Sequence, residues 1–87
     1  KQHSTHFEIH VELLSKNDLN NFMTTLRRLG ISIDDVEINS AFINSGLAVY
    51  SMRLSIVSKE LKKMKTHEQI LEALKSIDYV SFAEEIG

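Results

Sequence analysis

Residues 6–30 read HFEIHVELLSKNDLNNFMTTLRRLG, and they decide the fold because their apolar side chains change from a strand period to a helix period. In the first eight residues, apolar and polar side chains alternate, as they do in a half-buried strand. The apolar ones are Phe7, Ile9, Val11 and Leu13. The apolar spacing then becomes three and four, as in a helix that lies on a sheet, at Leu19, Phe22, Met23, Leu26 and Leu29. Ser15 or Asn17 is placed to cap this helix, and Gly30 to end it in a left-handed conformation.

The rest of the chain repeats this order, so that it reads strand, helix, strand and again strand, helix, strand. After Gly30 a second strand is predicted to Phe42, and the parity of its apolar residues changes near Asp34 and Asp35, which predicts a β-bulge. The segment Asn44-Ser45-Gly46 is typical of a hairpin turn, so the next strand, residues 47–57, runs antiparallel to the second. The length of this third strand favours a central position in the sheet.

The second half ends with a helix and a short strand. Thr66 and Gln69 have the spacing of a capping box at the start of the helix. Its apolar stripe is Ile70, Leu71, Leu74 and Ile77. In residues 79–86, every second position is taken by Val80, Phe82 and Glu84, which predicts a fourth strand with these three side chains on one face. Residues 58–65 are rich in lysine, and we expect a mobile connector there, with one extra helical turn as the alternative.

These elements predict one α+β domain, a ferredoxin-like βαββαβ sandwich. Right-handed crossovers, and a hairpin between the second and third strands, give a four-stranded antiparallel sheet of order 4-1-3-2 with two helices on one face. The other face carries His6, Glu8, His10 and Glu12 and is left toward solvent or a partner. We assign residues 6–87 to the domain and residues 1–5 to the remnant of a linker from a longer protein.

Composition excludes several kinds of function. The chain has 87 residues, a formal net charge of −2 and no cysteine, so disulfides, thiolate zinc sites and a cysteine nucleophile are absent. Without an excess of basic charge, nucleic acid is an unfavourable partner. No run of about 18 apolar residues predicts a membrane span. With three glycines and no phosphate loop or nucleophile elbow, we expect neither enzyme activity nor a cofactor.

One group of residues has donors suited to a metal ion, namely His6, Glu8 and His10 on the first strand. His6 and His10 are roughly 13 Å apart at a strand rise of ~3.3 Å per residue, so one ion cannot bind both. Glu8 with one histidine and a donor from a neighbouring strand remains a possible zinc site. The alternatives for this face are a solvated surface, with Arg53 pairing to Glu8 or Glu12, and a surface for a dimer or another partner.

A second cluster is basic and comprises Lys59, Lys62, Lys63 and Lys65. One interpretation is a solvated connector. The other is a patch that contacts anionic lipid headgroups, if the domain hangs beneath a membrane.

The βαββαβ order resembles the ACT domain family. The passages that carry the resemblance are Leu29-Gly30-Ile31-Ser32-Ile33 and Leu74-Lys75-Ser76-Ile77-Asp78-Tyr79-Val80. The resemblance implies a sensor that pairs side by side and binds an amino acid near the first strand-to-helix loop. The matching residues here are Ser15, Lys16, Asn17 and Asp18, followed by Leu19. They lack the glycine that lets the family's backbone approach its ligand closely.

Two passages, Glu68-Gln69-Ile70-Leu71-Glu72-Ala73-Leu74 and Val80-Ser81-Phe82-Ala83-Glu84-Glu85, are similar to the soluble C-terminal domain of the MgtC/SapB family. These are bacterial inner-membrane proteins tied to growth in low magnesium and to virulence. The resemblance implies a regulatory or interaction domain on the cytoplasmic face of that membrane. The domain would be attached to the membrane only through a transmembrane region that precedes Lys1.

Self-association or a protein partner is expected for a core of this size. The strands predicted at the sheet edges, the second and the fourth, leave unpaired backbone groups that a second copy can bind. The sequence therefore also predicts a possible homodimer.

Overall fold

The computed structural model describes residues 5–39 and 46–86. Its elements are β1 (His6–Leu13), a short 3-10 turn (Lys16–Asp18), α1 (Leu19–Arg28), β2 (Ile31–Ile38), β3 (Ala48–Ile56), α2 (Lys59–Met64), α3 (His67–Lys75) and β4 (Val80–Ile86). The predicted turn residues Asn44 and Ser45, the predicted end of the second strand at Phe42, and most of the linker remnant lie outside the described residues.

The four strands form one antiparallel sheet of order β2-β3-β1-β4, which confirms the predicted order. Strands β1 and β3 are the central pair, and Leu13 at the end of β1 lies opposite Ala48 at the start of β3. The strict alternation of β1 follows from its place in an antiparallel sheet with one face packed on the core and the other turned away from it. The edges are β2 and β4.

The core lies between the sheet and the helices. The odd-numbered side chains of β1 point into it, with Ile9, Val11 and Leu13 fully buried. From the helices, the fully buried residues are Phe22, Leu26 and Leu74, while Leu29, the last member of the predicted α1 stripe, is 39% exposed. Leu29 is exposed because α1 ends at Arg28 and the chain turns away at Gly30, which has φ +90°.

The helix starts follow the predicted caps. The Ser15 hydroxyl accepts a hydrogen bond from the Asn17 backbone N–H at 3.2 Å, but it caps the 3-10 turn, and α1 itself begins at Leu19. Thr66 and Gln69 form the complete capping box at the start of α3. Among the helices that the structure describes, none has the length and apolar character needed to cross a membrane.

The expectation of a mobile connector at residues 58–65 is wrong, because most of this segment forms α2. The Ser58 hydroxyl caps α2 by accepting from the Leu61 backbone N–H at 3.2 Å. The Gly30 carbonyl accepts from the N–H groups of Val57 and Ser58, and Leu61 packs against the core. These contacts hold a helix too short to be stable alone.

The bulge predicted in β2 is confirmed, and its register shift lies between Ile33 and Asp35. Asp34 is the extra residue, and its carboxylate accepts a hydrogen bond from the Ser55 hydroxyl of β3. Because a bulge turns two consecutive residues toward the same side, Asp34 and Asp35 both face away from the helices.

The predicted arrangement of β4 is wrong in one respect. Val80 lies opposite Leu13 and Phe82 lies opposite Glu12, so Ser81 is an extra residue and the alternation is interrupted. The side chains of Val80 and Ala83 are buried, whereas Phe82 is 41% exposed. Val80 therefore packs in the core, while Phe82 and Glu84 lie on the opposite face of the sheet.

Candidate functional site

Several candidate functional residues lie on the face of the sheet opposite the helices, and we call it the open face. Its acidic residues are Glu8, Glu12, Asp34, Asp35, Glu37 and Glu84. Its basic residue is Arg53, and it also carries His6 and His10. Phe82 and Ile86 of β4 add apolar area, each 41% exposed. The open face is thus acidic, with an apolar margin along one edge strand.

Among the described residues, the open face has one histidine–carboxylate contact and one ion pair. His10 Nε2 is 3.0 Å from Glu12 Oε2, and the edge of the His10 ring faces the Phe82 ring at a centroid distance of 6.1 Å. Arg53 lies opposite Glu8 in the β1–β3 register, yet its guanidinium approaches Asp35 of β2, at 4.0 Å. The predicted partners of Arg53, Glu8 and Glu12, are therefore not the ones found. The Arg53–Asp35 pair is exposed, and pairs of this kind stabilise a fold by less than about 1 kcal/mol.

The proposed metal ligands His6, Glu8 and His10 all lie on the open face, as predicted from their alternate spacing. His6 and Glu8 line a shallow pocket of about 250 Å³ together with Asp34 and Arg53. His10 lies further along β1, where its ring contacts Glu12. Within residues 5–39 and 46–86, no three His, Asp or Glu side chains are grouped closely enough to hold one metal ion. Zinc binding at this face stays a prediction without geometric support.

A zinc titration tests that prediction directly. From the positions of the three side chains we expect added zinc to leave the melting temperature unchanged, because a ligand stabilises a fold only if the folded state binds it. Differential scanning calorimetry with and without zinc gives the answer. A rise that disappears in the His10→Ala variant would establish a zinc site.

The four residues implied as ligand-binding, Ser15, Lys16, Asn17 and Asp18, form the capped 3-10 turn after β1. Lys16 lines a cavity of about 230 Å³ at this end of the sheet. The other described lining residues come from β2, β3 and the residues beside them, namely Ile38, Asn39, Gly46, Leu47, Ala48, Val49 and Tyr50. The Ser15 hydroxyl is engaged in the cap, and Asn17 is exposed. Of the four residues, Lys16 is the one that the structure places at a cavity.

Tyr50 lines this cavity, and its side chain is 4% exposed. Burial raises the pKa of the Tyr50 phenol above its usual value, because the ionised form is poorly solvated there. A raised pKa means that folding favours the neutral phenol. Its contribution to stability is therefore complete below the unfolded pKa of about 10 and is lost as the pH rises through the folded pKa.

We expect the free energy of unfolding to fall as the pH rises above about 10, and to fall less steeply in the Tyr50→Phe variant. Urea unfolding at a series of pH values measures this slope. Equal slopes for wild type and Tyr50→Phe would contradict the assignment to Tyr50.

Sequence reasoning missed a contact between a buried histidine and an exposed carboxylate. His67, the first residue of α3, is 2% exposed, and its Nδ1 atom is 3.0 Å from Oε2 of Glu85 in β4. The His67 ring stacks on the Phe7 ring with a centroid distance of 4.2 Å. The pair joins the start of α3 to the end of the sheet. No spacing in the sequence signals it, because the two residues are 18 positions apart.

Comparison with known proteins adds one finding. No protein-family model matches this sequence, and no curated protein matches it either. Among solved structures, the crystal structure of the ACT domain from the GTP pyrophosphokinase of Chlorobium tepidum is similar, with a TM-score of 0.60 and 15% sequence identity. The match covers 93% of this chain and 96% of that one. A likeness at this identity shows the fold, so this chain has the ferredoxin-like βαββαβ fold of an ACT domain.

Proposed function

We propose that this chain is a non-enzymatic regulatory or protein-interaction domain built on the ACT-like fold. The observation that carries the proposal is the division of the sheet into one face packed on the helices and an opposite face that carries charged side chains from all four strands. Asp34, Asp35 and Glu37 are exposed on it. Acid–base catalysis requires two acids held in different environments within a cleft, whereas solvated acids spread over a surface suit binding.

A second candidate function is that of a sensor for an amino acid or another small metabolite at a dimer interface. The cavity beside Lys16 favours it, because an ammonium group can pair with a carboxylate ligand and the apolar lining can take its side chain. The absence of a glycine among Ser15, Lys16, Asn17 and Asp18 argues against close approach of the backbone to a ligand.

Amide chemical shifts during amino-acid titration separate the two candidates. An interaction domain gives no saturable shifts at residues 15–19 or at the lining residues of the cavity. Saturable shifts there, abolished by Lys16→Gln and retained in Lys75→Gln, would establish the sensor and overturn the first proposal. Lys75 is the matched control because it is exposed on α3 and pairs with Glu72 at 3.5 Å.

The finer form of the proposal is that the domain is the soluble C-terminal part of an MgtC/SapB-type protein, on the cytoplasmic face of a bacterial inner membrane. Its support is the resemblance of residues 68–74 and 80–85, which form most of α3 and β4. The exposed lysines of α2 suit a position near anionic headgroups.

Fractionation of cells that express the full-length protein tests this form of the proposal. The protein should sediment with the inner membrane, and deletion of residues 6–87 should impair growth in low magnesium. A full-length protein found in the cytosolic fraction would overturn the membrane assignment. The interaction role would then still be tested by the amino-acid titration.

A further inference from the structure

Charge is distributed unevenly between the two sides of the molecule. Of the 10 Lys and Arg residues, eight lie in the helices or in the residues that flank them, and these are Lys16, Arg27, Arg28, Lys59, Lys62, Lys63, Lys65 and Lys75. Among the described residues, the open face carries six carboxylates and one guanidinium, that of Arg53. The other side also has carboxylates, so its excess of positive charge is smaller, and these are Asp18, Glu60, Glu68, Glu72, Asp78 and Glu85. A formal net charge of only −2 therefore conceals two surfaces of opposite sign.

The strongest basic surface is α2 with the residue that ends it, and we call it the lysine surface. Its side chains Lys59, Lys62, Lys63 and Lys65 are all exposed. Among the described residues, no carboxylate lies within ion-pair distance of any of these four ammonium groups. On the open face, Glu8, Glu37 and Glu84 likewise have no cation within that distance in the described part of the chain. Both surfaces thus have charges available to a partner.

Exposed apolar side chains accompany both surfaces. Phe82 and Ile86 border the carboxylates of the open face, each 41% exposed. Met64 lies within α2 and Val57 just before it, and they are 74% and 65% exposed. Protein interfaces combine desolvated apolar side chains with a polar, charged rim. Each surface therefore has both components of an interface, with charges of opposite sign.

From this complementarity we infer that the open face of one copy binds the lysine surface of a second copy. The two surfaces lie on different parts of the molecule, so the contact is heterologous and repeats from copy to copy as a chain or closes as a ring. This mode differs from pairing of the edge strands β2 and β4, which leaves both charged surfaces free. The inference rests on the proposed role as an interaction domain.

The smaller of the two surfaces limits the contact. Helix α2 has six residues, so at ~1.5 Å per residue it is about 9 Å long and covers only part of the open face. Such a contact is smaller than the ~800 Å² per partner that stable complexes bury, so the association is weak and reversible. Charge pairs across it accelerate encounter and make it sensitive to salt.

Sedimentation velocity over a concentration series tests the wild-type chain. We expect the weight-average mass to rise with concentration at ~0.01 M salt and to fall back toward the monomer at ~1 M salt, where the Debye length is about 3 Å. The expected loss of affinity between these conditions is about tenfold or more. A wild-type chain that stays monomeric at low salt and high concentration overturns the inference.

Two variants separate the surfaces. The first is Glu8→Gln with Glu37→Gln and Glu84→Gln, and the second is Lys59→Gln with Lys62→Gln and Lys63→Gln. Each lacks one surface, so each alone should be monomeric. Because each retains the surface that the other has lost, an equimolar mixture should form a 1:1 complex that does not grow further. If each variant alone associates as the wild type does, edge pairing is the mode and the inference is wrong.

A control variant keeps both surfaces and changes the net charge by the same amount as the open-face variant does. Glu68→Gln with Glu72→Gln and Asp78→Asn removes three exposed carboxylates from the helical side of the molecule. It should associate as the wild type does, with the same circular dichroism spectrum. If this control loses association to the same extent as the open-face variant, net charge rather than the paired surfaces is responsible. The amino-acid titration measures amide chemical shifts and not association. The proposed function and this inference can therefore be contradicted separately.

Discussion

Replacing Gly30 by alanine is expected to lower the free energy of unfolding by about 2–5 kcal/mol, the sum of a backbone and a packing effect. Gly30 ends α1 with φ +90°, a conformation that disfavours any residue with a Cβ atom by roughly 1–2 kcal/mol. A Cβ atom at Gly30 would also overlap the Cβ atom of Ser58. Ser58 cannot move freely, because its N–H donates to the Gly30 carbonyl and its hydroxyl caps α2.

The matched control for this substitution is Gly46→Ala. Gly46 has φ +88°, nearly the same as Gly30, but a Cβ atom there would have no described atom within 4 Å. We expect it to lower stability by the backbone effect alone, about 1–2 kcal/mol. Urea unfolding of both variants measures the difference, which isolates the contact with Ser58. Equal losses would show that the close packing of Gly30 on Ser58 contributes nothing.

Replacing Leu26 by alanine is expected to lower the free energy of unfolding by about 3–5 kcal/mol. Leu26 is completely buried in the cluster between α1 and the sheet. Removing its side chain forfeits the burial of three carbons and leaves a cavity that packed neighbours fill only in part. In a domain of this size a loss of that magnitude is a large fraction of the total stability.

The same substitution at Leu29 supplies the comparison. Leu29 belongs to the same apolar stripe in the sequence but is 39% exposed. Leu29→Ala is therefore expected to lower stability by less than about 1 kcal/mol, as for partly solvated side chains. Thermal and urea unfolding of the two variants test whether burial, rather than membership in the stripe, sets the effect. A similar loss at both positions would mean that Leu29 packs more closely than this structure shows.

Most of the fold can be predicted from the sequence because the central strands show a clear alternation of apolar and polar residues. The bounds predicted for β1 agree with the structure, and the capping box of α3 was recognised from Thr66 and Gln69. The segment at residues 58–65 was misread because its helix is short. Its stability comes from the Ser58 cap and from Leu61 packing on the core, which local pattern does not reveal.

The candidate sites were recovered less completely. Alternation placed His6, Glu8 and His10 on one face, but it left open which residue pairs with Arg53. The answer, Asp35, depends on how the bulge sets β2 against β3. The contact between His67 and Glu85 depends on how α3 crosses the sheet, and residue spacing carries no such information.

The sequence by itself determined the order of the elements, the strand order and the position of the lysine cluster. Periodicity and charge are properties of neighbouring residues, so they can be read along the chain. The change of parity near Asp34 and Asp35 also predicts the bulge in β2, but only the tertiary structure showed the extra residue at Ser81 in β4. A bulge is defined by pairing with the strand alongside. Those two bulges turn Asp34 and Phe82 toward the open face, and so they complete the surface on which the proposed contact depends.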